Sequence, residues 1–178
     1  MATIRSELKT RAPASEVWSA VRDIGALHTR LVPGFVVDTK LEPGARIVTF
    51  INGMVLREPI VTLDDEARRL VWAAEGGRAS HYNAALQVSK LADGLTSVVW
   101  TADFLPDDIG GFLSKAIEAG MAAMQQSLDR LAPGERRLRA APKNGCGGFA
   151  SGPFHAYPEE GAGIALKHGA TYPRETSA

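Results

Sequence analysis

Three charged residues on neighbouring predicted strands could carry acid–base chemistry: Arg57, Glu58 and Glu75. Two carboxylates that share an interior site push one pKa upward, so that one of them can hold a proton near neutral pH. Such a pair can move protons on a substrate. The same residues facing water would form an ordinary solvated surface. These three are the candidate catalytic residues, and their role depends on which face of the sheet they occupy.

The register of the predicted hairpin distinguishes these two roles. The turn DDEAR separates two strands, and pairing Leu63 with Leu70 across it brings Val61 opposite Trp72. These four apolar side chains then share one face, because successive residues of a strand alternate between the faces of the sheet. The two glutamates lie opposite each other on the other face. The register therefore favours solvated glutamates over a buried acid/base pair.

The sequence lacks the other common catalytic and metal-binding patterns. His28 and His81 have no histidine partner three or four residues away, and His155 and His168 lie near the C-terminus. Cys146 is the only cysteine, so neither an internal disulfide nor a cysteine-based zinc site can form. There is no G-x-S-x-G motif, the turn that exposes a nucleophilic serine. We expect no metal and no cofactor.

The composition is that of a globular protein without a polyanionic partner. Of 178 residues, 45% are apolar and 22% are charged, and 20 basic residues balance 20 acidic ones. Nucleic-acid-binding proteins normally carry a basic surplus that neutralises phosphates, so we expect no nucleic-acid partner. No run of about 18 apolar residues could cross a bilayer, and the N-terminus shows no secretory signal. These features predict a cytoplasmic protein with no membrane span.

The amino-acid composition of the chain changes near Ala132. Residues 1–132 contain ten Gly and five Pro, whereas the remaining 46 residues contain eight Gly and five Pro. In 133–178 the apolar residues are scattered singly, so this part can bury too little surface to offset its ordering entropy. We predict one domain over 1–132 and a Gly/Pro-rich extension over 133–178 that is disordered or loosely attached.

Hydrophobic periodicity in the first part predicts an α+β domain. Residues 3–9 alternate as a strand, two short helices follow before Pro33, and strands at hairpin spacing occupy 35–104. In the last hairpin, a three-residue loop ending in Gly94 places every large apolar side chain on one face. After Pro106 an apolar stripe predicts a long terminal helix: Leu113, Ile117, Met121, Met124, Leu128 and Leu131. This stripe needs the inward face of the sheet to cover it.

Three segments carry a resemblance to a known superfamily: APASEVWSAVRDIGALHTRLVPGF, NGMVLREPIVTLDDEARRLVW and HYNAALQVSKLADGLTSVVWTADFLPDD. Together they span about residues 1–131, and the sequence resembles the START-like (SRPBCC) superfamily. Within it, the chain is most similar to the bacterial polyketide cyclase/dehydrase and lipid-transport family. The resemblance implies a helix-grip fold, in which a curved seven-stranded antiparallel sheet surrounds the C-terminal helix. It also implies a cavity between sheet and helix.

The side chains expected on the inward faces suit an apolar ligand. Small residues leave space, while aromatic and thioether side chains form adaptable walls. The residues that we predict to contact a ligand are Tyr82, Leu86, Trp100, Phe104, Ile117, Met121 and Met124. In particular, Tyr82, Trp100 and Met121 should border one cavity. The alternative is that these residues close a solid core.

Three functions remain open at this point. The first is a carrier or sensor that binds a small hydrophobic molecule, lipid- or polyketide-like, in the cavity. The second is a cyclase- or dehydratase-type enzyme, because enzymes of the superfamily that the sequence resembles use strand Arg and Glu residues inside the cavity. The third is a module that binds a protein partner, which would show an exposed apolar patch. The lack of a convincing acid/base set favours ligand binding over catalysis.

Overall fold

The computed structural model of the chain describes residues 1–134. The predicted extension over 133–178 lies almost wholly outside this range, so its state stays a prediction. The elements, in chain order, are β1 (Ala2–Thr10), α1 (Ala14–Arg22), β2 (Val36–Glu42), β3 (Ala45–Phe50), β4 (Val55–Asp64), β5 (Arg69–Ala73), β6 (His81–Lys90), β7 (Thr96–Leu105) and α2 (Gly110–Asp129). A short π-type helical turn, Leu27–Leu31, follows α1, and a 3-10 turn, Asp107–Ile109, precedes α2.

The seven strands form one antiparallel sheet in the order β1-β7-β6-β5-β4-β3-β2. Consecutive strands from β2 to β7 are joined as hairpins, and β1 pairs with β7 at one edge of the sheet. The long helix α2 packs against the inward face of this curved sheet, as its apolar stripe requires. The predicted α+β helix-grip fold, with two short helices after the first strand, is confirmed.

The register of the β6–β7 hairpin follows the alternation of the sequence. Leu86 pairs with Trp100 and Tyr82 pairs with Phe104, as predicted. Gly94 has a φ of +84°, the left-handed conformation that the three-residue loop requires and that glycine adopts without a steric cost. Local alternation and turn chemistry were therefore enough to place the two strands that carry much of the inward aromatic surface.

The β4–β5 hairpin differs from its predicted register. Leu63 pairs with Leu70 as expected, but the pairing shifts farther along, so Ile60 rather than Val61 lies opposite Trp72. A β-bulge of this kind adds one unpaired residue to one strand and changes the faces that the later residues occupy. Val61 is the extra residue, and 59% of it is exposed to solvent.

Because of this bulge, Glu58 occupies the opposite face of the sheet from the one predicted. Glu58 is buried, with 6% of its surface exposed, so the prediction that it points to solvent is wrong. Glu75 is exposed, as predicted, and it lies opposite Arg57 rather than opposite Glu58. Arg57 binds the exposed carboxylates of Glu75 and Glu42 at 2.9 and 3.0 Å. The two glutamates therefore occupy opposite faces and cannot form an acid/base pair.

Helix α2 approaches the sheet closely at one glycine. A Cβ atom at Gly120 would lie 3.1 Å from the ring of Phe35 and 3.1 Å from the ring of Trp100. Few real contacts are this short, so a larger side chain would have to displace these rings. The buried residues of the helix include most of the predicted stripe: Ile117, Met121, Met124 and Leu128. The rings of Phe35 and Trp100 thus lie against the middle of α2.

Candidate functional site

A cavity of about 480 Å³ lies between the sheet and α2. Its wall receives residues from β2 to β7, from the Leu27–Leu31 turn and from α2. Most of the lining atoms are apolar, and the aromatic side chains on the wall are Phe35, Phe50, Trp72, Tyr82, Trp100 and Phe112. Since pockets that bind small ligands span roughly 300–1,000 Å³, this space can hold a small organic molecule.

Seven residues were predicted to contact a ligand, and the structure brings five of them to the cavity wall. These five are Tyr82, Leu86, Trp100, Ile117 and Met124. The other two, Phe104 and Met121, are buried but are not among the residues that line the cavity. Met121 lies about one turn beyond Ile117 and packs into the hydrophobic core, so the expectation that it borders the cavity is not met. Contact of the other five with a ligand stays a prediction.

A buried ion pair is the main polar feature of the wall. Nε of Arg46 donates to Oε2 of Glu58 at 2.7 Å, and the two side chains are only 3% and 7% exposed. The pair forms because the two residues are direct cross-strand partners on β3 and β4. Sequence reasoning missed Arg46. The signal was its alternation with Val48 and Phe50, two apolar residues that share its strand face.

The environment shifts the pKa values of two acidic groups on this wall. Burial raises the pKa of Glu58, and the charge and hydrogen bond of Arg46, with Trp72, only partly oppose that effect. The pKa of Tyr82 is also raised, first by burial and then by the negative charge of Glu58, while Trp100 acts in the opposite direction. The Tyr82 hydroxyl therefore keeps its proton at neutral pH and can donate a hydrogen bond.

Aromatic contacts connect the ion pair with the far wall of the cavity. The Arg46 guanidinium lies 5.6 Å from the ring centroid of Trp72, within the range of a cation–π contact. The rings of Trp72 and Trp100 are in turn tilted against each other with centroids 5.5 Å apart. Arg46 on β3, Trp72 on β5 and Trp100 on β7 thus form one row of contacts on the inner face of the sheet.

Two cations lie at the outer part of the cavity. Lys115 and Arg78 belong to the lining, and both are exposed. The Arg78 guanidinium lies 5.4 Å from the ring centroid of Phe112, so the β5–β6 loop contacts the first turn of α2 here.

Within residues 1–134, no group of His, Cys, Asp and Glu side chains is placed to hold a metal ion. No helix of this part of the chain is long and apolar enough to cross a membrane.

Solved structures of other proteins share this fold. A Thermobifida fusca protein solved by NMR is 29% identical, with a TM-score of 0.61, and the match covers 74% of this chain and 95% of that one. A START superfamily protein from Mycobacterium smegmatis is 12% identical, with a TM-score of 0.60, over 72% of this chain and 98% of that one. The fold is therefore that of START-like proteins.

A cyclase domain provides a further structural match. The di-domain ARO/CYC protein BexL, from the BE-7585A biosynthetic pathway, is 17% identical with a TM-score of 0.62. The match covers 75% of this chain and 48% of BexL. At that identity the likeness shows the fold alone. No curated protein sequence matches this chain.

The sequence match to a family extends over nearly all of the described residues. The family model described as polyketide cyclase / dehydrase and lipid transport matches residues 1–133. The family and the structural relatives fit a helix-grip domain that binds hydrophobic ligands. The apolar cavity between the sheet and α2 agrees with this. The chain belongs to the polyketide cyclase/dehydrase and lipid transport family.

Proposed function

We propose that the protein binds a small hydrophobic ligand, lipid- or polyketide-like, in the cavity between the sheet and α2, and acts as its carrier or sensor. The observation that carries this proposal is an interior space of about 480 Å³ with six aromatic side chains on its wall. A ligand that replaces water against such a wall gains roughly 25 cal/mol for each Å² of apolar surface buried. Aromatic rings also fix its orientation.

An enzyme that transfers protons is the second candidate, and the buried carboxyl group of Glu58 favours it. A glutamate with a raised pKa can act as a general acid. Arg46, however, already holds this carboxyl group at 2.7 Å, and Glu58 is the only carboxylate among the described residues that line the cavity. Of the other two predicted catalytic residues, Arg57 and Glu75 pair with each other outside. Binding therefore remains the stronger conclusion.

The variant Ala116→Trp is designed to test the proposed site. Ala116 lines the cavity from α2, so an indole at this position should occupy space that a ligand needs. We expect wild-type protein to bind a hydrophobic fluorescent dye and the variant to lose at least about tenfold in affinity, the factor that corresponds to 1.4 kcal/mol. Dye titration followed by fluorescence measures both affinities.

Ala122→Trp is the matched control, since Ala122 is exposed on the same helix and does not line the cavity. This variant should bind the dye as the wild type does. Equal affinities of the Ala116 variant and the wild type, with circular dichroism unchanged, would show that the dye binds elsewhere and would contradict the proposed site.

A further inference from the structure

The wall of the cavity contains titratable residues in two groups. Arg46 on β3, Glu58 on β4 and Tyr82 on β6 form the inner group, while Arg78 in the β5–β6 loop and Lys115 on α2 lie exposed at the outer part. The described lining residues on β2, β5, β7 and the turn after α1 are not titratable. An inner wall with one buried guanidinium and one buried carboxylate carries no net charge when both are ionised.

Glu58 is the group of this inner wall whose charge can change near neutral pH. A guanidinium keeps its proton throughout the physiological range. The Tyr82 hydroxyl keeps its own proton because burial and the charge of Glu58 raise its pKa. Burial also raises the pKa of Glu58, against the opposing effects of Arg46 and Trp72. A further negative charge in the cavity would raise the pKa of Glu58 again, since like charges disfavour ionisation.

Arg46 can balance a second anion once Glu58 becomes neutral. Its Nε donates to Glu58 at 2.7 Å, while its Nη1 is buried and has no hydrogen-bond partner within residues 1–134. A carboxylate that enters beside the ionised pair would be an uncompensated charge against an apolar wall, which is costly. When Glu58 is protonated, the guanidinium and the carboxylate of the ligand compensate each other, as buried charges require.

We propose that the Arg46–Glu58 pair selects ligands by charge: a neutral apolar ligand binds with the pair ionised, whereas a ligand with one carboxylate group binds only when Glu58 takes up a proton from the solvent. Glu58 is then a specificity-determining residue, because it excludes carboxylates from the cavity at neutral and alkaline pH and admits them as the pH falls. This inference rests on the proposed function, since it concerns a ligand in the same cavity.

Two bicyclic probes of similar size test this proposal: ethylnaphthalene, which is neutral, and naphthoate, which is anionic. Isothermal titration calorimetry of the full chain with naphthoate, in two buffers that differ in ionisation enthalpy, counts the protons that binding takes up. We expect an uptake of about one proton, so that the affinity for naphthoate rises about tenfold for each pH unit below neutral, until naphthoate itself protonates. Tryptophan fluorescence should give an affinity for ethylnaphthalene that does not change over this range.

Glu58→Gln imitates the protonated carboxyl group. At neutral pH the variant should bind naphthoate about tenfold or more tightly than the wild type does, and without proton uptake. Its affinity for ethylnaphthalene should change little. Glu42→Gln is the matched control, because Glu42 also accepts from an arginine, Arg57, at 3.0 Å, but is exposed and does not line the cavity. This control should keep the weak binding of naphthoate and its proton uptake.

The possible outcomes separate this proposal from the function on which it rests. Binding of naphthoate to the wild type without proton uptake would overturn it and place the anion at the exposed Arg78 and Lys115. Naphthoate that binds at no pH while ethylnaphthalene binds, or a proton uptake that persists in Glu58→Gln, would also overturn it and leave the apolar cavity standing. Failure of both probes to bind would contradict the proposed function itself. If Glu58→Gln does not fold, the proton count of the wild type decides alone.

Discussion

The variant Leu128→Asp is expected not to fold. Leu128 is fully buried on the face of α2 that packs against the sheet, with none of its surface exposed. An aspartate there would place an unpaired charge among apolar side chains, which costs several kcal/mol. The total stability of a domain is only about 5–15 kcal/mol, so this one change can remove most of it. Thermal unfolding followed by circular dichroism measures the loss.

Gln126→Asp is the matched control for this variant. Gln126 lies on the exposed face of the same helix, so an aspartate there meets water and should leave the melting temperature nearly unchanged. A cooperative transition of Leu128→Asp at the wild-type temperature would mean that this face of α2 does not pack in the core.

The second large effect is expected from breaking the buried ion pair. Arg46→Met leaves Glu58 without its partner in an apolar wall, and the loss of one member of a buried pair costs about 3–5 kcal/mol. The double variant Arg46→Met/Glu58→Leu should recover most of this loss, because two apolar side chains can fill a similar volume with no charge to compensate. Urea unfolding of the two variants and the wild type gives the three free energies of unfolding.

Arg57→Met provides the comparison at an exposed site of the same sheet. Arg57 also pairs with glutamates, but 42% of its side chain is exposed, and water screens such pairs strongly. Its replacement should lower the free energy of unfolding far less than Arg46→Met does. Similar losses for the two variants would contradict the burial of the Arg46–Glu58 pair.

Two parts of the fold followed from local pattern in the sequence. The β6–β7 pairing was predictable because alternation fixes the faces of both strands, and Gly94 supplies the left-handed residue of the loop. Helix α2 was predictable because its apolar residues recur with the helical period, from Ile117 to Leu128. In both cases each local signal agrees with the tertiary structure.

The candidate site was less predictable because it depends on an irregularity. The bulge in β4 leaves an apolar Val61 exposed, and alternation from Leu63 therefore assigned Glu58 to the wrong face. Arg46 was missed since its burial requires Glu58 as a cross-strand partner, and that partner was thought to face water. Whether an apolar residue such as Met121 lines a cavity or fills the core also depends on the rotation of α2, which periodicity alone does not give.

The central claim is that a hydrophobic ligand occupies the cavity between the sheet and α2. The three tryptophans of the chain offer a direct test, because each gives its own indole N–H signal in an NMR spectrum of the ¹⁵N-labelled protein. Trp72 and Trp100 line the cavity, whereas Trp18 does not. On titration with ethylnaphthalene, the account predicts that the signals of Trp72 and Trp100 shift while that of Trp18 stays in place. Binding that moves only the Trp18 signal, or none of the three, would contradict it.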